Sequence, residues 1–169
     1  MILGMSTETF TLLHVLISLV GIGTGLVVAF GMMKAKPLPR WTATFLITTV
    51  LTSVTGFLFP VSKLTPGLVV GGISLVVLAA SVVALYGFKL AGAWRWIYVG
   101  TAMLALYLNV FVLIVQSFQK VPALHALAPT QTEPAFKAAQ LVNLVIFIAL
   151  GTAAVRRFRP HAIAAATKA

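Results

Sequence analysis

Five apolar runs, at about 10–33, 41–59, 67–88, 94–118 and 135–155, divide the chain, and short polar segments separate them. Within each run the apolar residues follow one another continuously, without the period-two alternation of a barrel strand. About 20 residues at 1.5 Å rise cross a hydrocarbon core of roughly 30 Å, so runs of this length predict membrane-spanning helices. Backbone amides find no water partner in lipid, which leaves helices or closed barrels as spanning structures. The pattern therefore predicts an all-α fold: a polytopic membrane bundle of five transmembrane helices in a single integral domain over residues 1–169. Residues 156–169 form a short basic tail. The opening MILGMSTETF has no Lys or Arg, and no small-x-small site follows the first apolar run, so that run is expected to be a retained span and not a cleaved signal peptide.

Composition strengthens this picture. Of the 169 residues 60% are hydrophobic and 8% charged, with a mean hydropathy of +1.08, whereas soluble domains carry about 25% charged residues. A net charge of +10 would suggest nucleic acid in a soluble chain. Here the cations lie between and after the spans, where they set orientation, so no nucleic-acid partner is expected. With the N-terminus outside, Lys34, Lys36, Arg40, Lys89, Arg95, Arg156, Arg157, Arg159 and Lys168 fall on the inner side, against Lys63, Lys120 and Lys137 on the outer. Positive residues favour the cytoplasmic face, which predicts N-terminus out and C-terminus in the cytoplasm. Trp41, Trp94 and Trp96 all fall at inner span ends, at the headgroup level that suits amphipathic rings. The absence of cysteine removes disulfides and thiolate chemistry.

Small residues mark packing faces. Gly21, Gly25 and Ala29 recur every four residues in the first span, and Gly67 and Gly71 repeat the device in the third; such strips let helices approach closely. Seven hydroxyls crowd the second span, Thr42, Thr44, Thr48, Thr49, Thr52, Ser53 and Thr55. They either bond back to their own helix or line a small polar cavity. Asn109 and Gln116 share a face of the fourth span, and Gln140 and Asn143 sit at i, i+3 on the fifth. Both asparagines lie roughly 12–14 Å below the outer surface by helical rise, a depth that suggests an Asn109–Asn143 hydrogen bond. His14, Thr52, Thr55, Asn109, Gln116, Gln140 and Asn143 all fall in the outer halves of their spans, and together they outline a candidate ligand pocket open to the outside.

The longest connection, QKVPALHALAPTQTEPAFK at 119–137, then lies outside. Its prolines bracket ALHAL as a short helical turn, and residues 120–134 form a candidate lid over the pocket, carrying His125 and Glu133. Thr130 and Glu133 have capping-box spacing, with Thr132 as an alternative N-cap for the fifth span, and Glu133 could pair with Lys137 at i+4.

Candidate chemistry is sparse. The only acidic residues, Glu8 and Glu133, lie outside the spans, which weighs against a proton-driven transporter. Neither a catalytic constellation nor a metal set stands out, so the expectation is a non-enzymatic protein without a resident cofactor. It would serve as an accessory or small-ligand-binding bundle, with lipid and either a membrane-protein partner or a second copy around it. The alternative is a redox carrier, holding haem b between His14 and His125 or a quinone at His14 and the amides, which could equally hold a lipid headgroup. The segments TVLTSVTGFLFP (49–60) and LYLNVFVLIVQSFQKVPALHALAPTQTEP (106–134) resemble small uncharacterised bacterial inner-membrane proteins. That resemblance implies a multi-pass inner-membrane location and assigns no functional residue.

Overall fold

The computed structural model describes residues 1–60 and 65–159. It is helical throughout: α1 spans Thr7–Met33, α2 Pro39–Phe57, α3 Pro66–Val82, α4 Trp94–Lys120, α5 Pro122–Leu127 and α6 Pro134–Arg157, with a π-helical turn Val83–Gly87 continuing α3. The described residues contain no strand beyond one isolated bridge, Ile2 to Met5. Lys63 and Lys168, with most of the basic tail, lie outside the described residues, while Arg156 and Arg157 form the last turn of α6.

Local chemistry explains where each helix starts. Ser6 accepts the Thr9 amide at 3.1 Å to cap α1, and Thr65 accepts the Leu68 amide at 3.3 Å to cap α3. Proline occupies the first turn of α2, α3, α5 and α6, where its missing N–H leaves no helical bond unmade. After α1 the backbone turns left-handed at Ala35 (φ 55°), and the returning chain presses on Gly31. A Cβ there would lie 2.7 Å from Leu38 Cδ1 and 3.0 Å from the Lys36 carbonyl, so the tight reversal depends on glycine.

α1 packs on α2 and α4, and α3 closes the other side by packing on the same two helices; α6 lies against α1 and α4, and α5 runs beside α4. The shared core includes Val28 and Met32 of α1, Phe45 of α2, Leu78 of α3, Leu106 of α4 and Phe147 of α6. Outward faces are apolar too, as at Ile47 (59% exposed), Val76 (73%) and Leu141 (60%). Water would penalise so continuous an apolar surface, whereas hydrocarbon accepts it.

Four helical segments are long and apolar enough to cross a membrane: Thr7–Met33, Pro66–Gly87, Trp94–Lys120 and Pro134–Arg157. The second expected span, α2, is a helix of 19 residues, about 28 Å long at 1.5 Å rise. Its hydroxyls and Arg40 dilute its hydropathy.

Candidate functional site

The candidate polar residues are spread over separate helix seams instead of converging on one outer pocket. Between α1 and α2, His14 Nδ1 lies 2.7 Å from Thr55 Oγ1, while the same hydroxyl donates to the Leu51 carbonyl at 2.7 Å. A hydroxyl has one proton to give. With that proton on Leu51, Thr55 accepts from His14, so Nδ1 carries the imidazole hydrogen and Nε2 keeps its lone pair. The ring meets Phe59 edge-on, with centroids 5.3 Å apart. Thr52 donates to the Thr48 carbonyl at 2.9 Å, and Thr44, Thr48 and Ser53 make the same i−4 bond. The hydroxyls of α2 therefore mostly serve their own backbone.

At the junction of α1, α2 and α4, the Asn109 amide donates to Thr49 Oγ1 at 3.2 Å, with both residues buried. Its partner is thus Thr49 of α2, and not Asn143 of α6 as equal depth predicts. Gly21 makes room for this pair: a Cβ on it would meet the Thr48 and Thr49 hydroxyls at 3.2 and 3.3 Å. One turn on, Gly25 faces Phe45 and Leu106. Gly71 packs in the same way against Phe57, whereas Gly67 is exposed and, among the described residues, meets only the hydroxyl of Thr65. The strip in α3 is therefore half as long as its spacing suggested.

In the α4–α6 seam, Gln140 donates to the Phe111 carbonyl at 3.2 Å. Gln140 Oε1 and Asn143 Nδ2 are buried without a partner among the described residues. Gln116, on the face predicted to point inward, is exposed. Helical phase gives a side chain's direction, and burial also requires a neighbour that reaches that height.

The connection after α4 does contain the short helix expected around ALHAL, but none of the residues of α5 is buried and His125 is exposed. A lid closed over a pocket would bury its underside; α5 instead lies along α4. Gln131, in left-handed conformation (φ 60°), anchors the loop by donating to the Val115 carbonyl at 2.9 Å. Glu133 folds back and accepts from the Thr130 amide and hydroxyl at 3.1 and 2.8 Å and from the Thr132 amide at 2.9 Å. Desolvation raises its carboxyl, but these hydrogen bonds outweigh that effect and hold it below the usual carboxylate range. Only the backward half of the capping box forms, because α6 begins at Pro134 and the residue before a proline is held extended.

A partly enclosed cavity of about 130 Å³ lies at the opposite, basic end. Its walls come from Val28 and Met32 of α1, Leu85 and Leu90 around the π turn, and Phe158 beyond α6; Thr42, Tyr98 and the exposed Lys36 complete the lining. Depth along the spans does not reveal it, because its lining comes largely from helix ends and turns. Arg95 was counted only as a charge, yet it donates to the Val155 and Phe158 carbonyls at 3.1 and 2.6 Å. A cation there complements the negative end of the α6 dipole and ties α4 to α6. Ser81, fully buried, donates to Thr101 at 2.7 Å across α3 and α4. Among the described residues, no three His, Asp or Glu side chains gather as a metal set. Comparison of the chain with protein-family models, curated proteins and solved structures gives no match.

Proposed function

We propose that the chain is a non-enzymatic, five-span protein of the bacterial inner membrane, with the N-terminus outside and the C-terminus in the cytoplasm. Its bonded intramembrane polar groups, the α2 hydroxyls, His14 and Asn109 among them, act as fasteners in a bundle whose role is accessory or ligand-binding. The observation that carries this reading is how α2 treats its hydroxyls. Thr44, Thr48, Thr52, Ser53 and Thr55 each return a hydrogen to a carbonyl four residues back, which makes a hydroxyl-rich helix compatible with lipid. Its outer stripe of Ile47, Leu51, Val54 and Leu58 is exposed and apolar. Counting α2 as a span places the termini on opposite sides. Its basic N-terminal end then shares the cytoplasmic side with Lys34, Lys36, Lys89 and the end of α6.

Reporter fusions test the topology. A C-terminal fluorescent-protein fusion should glow and a C-terminal alkaline phosphatase fusion should be inactive; the reverse pair would sink the orientation. The redox alternative is tested on the same purified protein. We expect a colourless preparation with no co-extracted quinone, whereas a Soret band lost in His14→Ala would establish haem through the free Nε2 and overturn the non-redox reading.

A further inference from the structure

The cavity at the basic end has three features that together identify an occupant. The first is charge. Lys36 stands at the cavity, and Lys34, Arg40 and Lys89 lie on the same connecting segments; the only acidic residues of the sequence, Glu8 and Glu133, begin α1 and precede α6 at the other end. The second is depth. Trp41 and Trp96, each about half exposed, and Trp94, stacked on Phe88 at 3.8 Å, surround the same end, as aromatic rings do at the headgroup level. The third is construction. The backbone around the cavity departs from regular helix at the π turn Val83–Gly87 and at left-handed Ala35, Lys89 and Leu90. Strained residues of this kind persist where surrounding structure holds them and cluster at ligand sites.

The volume narrows the choice. About 130 Å³ is well below the roughly 300–1,000 Å³ of a pocket that engulfs a drug-sized ligand. It accepts one part of a molecule whose remainder lies outside, against lipid. With apolar walls below and a cation beside the opening, the complementary molecule is an amphiphile with a negative head.

We propose that this cavity binds an anionic phospholipid, with the Lys36 ammonium on the headgroup phosphate and the apolar walls around the first part of an acyl chain. Tyr98, whose oxygen is paired with the Thr42 hydroxyl, supplies one hydroxyl donor for the ester region between them. The inference deepens the ligand-binding role above, and its test is independent of the topology fusions: lipid retention and terminal orientation are separate readouts.

The experiment uses the full chain in mild detergent, with native mass spectrometry against dioleoyl phosphatidylglycerol and dioleoyl phosphatidylcholine, which share acyl chains. The wild type should retain phosphatidylglycerol about tenfold more tightly, as expected for one charge-assisted contact in a partly enclosed site. Lys36→Gln should reduce that preference to near unity and Lys36→Arg should restore it, while Lys34→Gln, on the same connection but away from the lining, should keep it. Leu85→Trp should weaken both lipids by filling the cavity. Equal losses in Lys36→Gln and Lys34→Gln would reduce the effect to diffuse surface attraction and overturn the site. Equal retention of the two lipids by the wild type would also overturn it. Displacement of phosphatidylglycerol by millimolar inorganic phosphate would replace the lipid with a free anion and refute the assignment.

Discussion

Gly25→Leu should prevent the bundle from folding, while Gly23→Leu, two residues earlier on the same helix, should leave it intact. A Cβ on Gly25 would lie 2.6 Å from Leu106 Cδ1 and 2.8 Å from two ring carbons of Phe45. Leu106 and Phe45 are each 1% exposed, so neither can swing aside without displacing α4 or α2. Overpacking a filled core costs about 1–3 kcal/mol and sometimes more, and a leucine adds three further carbons to that clash. Gly25→Ala should already lose about 1–3 kcal/mol by the same reasoning. At Gly23 nothing lies within 4 Å of the added Cβ and the residue is exposed, so leucine there meets lipid and removes a glycine that weakens any helix. The check is detergent-solubilised yield and the unfolding midpoint in a denaturing-detergent titration. A Gly25→Leu protein as stable as Gly23→Leu would mean that α1 does not approach α2 and α4 this closely.

That asymmetry was partly legible in the sequence. The four-residue spacing of Gly21 and Gly25 marks a face that must lie against something, and the structure supplies Thr49 with Asn109 at one turn and Phe45 with Leu106 at the next. Helix locations were legible as well, because length and continuity of apolar runs decide them and prolines mark where they begin. What the pattern lacked was lateral information. Depth below the surface gives a residue's height on its helix but not its partner, so it pairs Asn109 with Asn143 where the structure pairs it with Thr49 of α2. Gly67 shares the spacing of Gly71 but sits in the first turn of α3, where among the described residues a Cβ would meet only the Thr65 hydroxyl, at 3.8 Å. The basic-end cavity was illegible for another reason. It is built from a π turn and left-handed loop residues, and these carry no hydrophobic periodicity.

Asn143→Leu should stabilise the protein, and Asn109→Leu should destabilise it. Both asparagines are buried, at 5% and 9% exposure, and both lie on helices that face the same bundle. They differ in what their amides find. Asn109 Nδ2 reaches Thr49, and interhelical bonds of this kind contribute roughly 0.6–2 kcal/mol in a membrane, so its loss should lower the unfolding free energy by about that much. Asn143 Nδ2 has no partner among the described residues. A buried donor left unpaired costs about 1–3 kcal/mol, and an apolar residue of similar shape removes that cost. Leucine also extends the apolar run that includes Phe147 one turn on, already in the core. Gln140→Leu should fall between the two, since it relieves an unpaired Oε1 but gives up the bond to Phe111. Unfolding midpoints of the three variants in the same denaturing-detergent titration decide the order. If Asn143→Leu instead loses stability comparable to Asn109→Leu, Asn143 has a partner in the membrane. A concentration-dependent midpoint would then identify that partner as a second copy of the chain, and a midpoint raised by added lipid or quinone would identify it as a ligand.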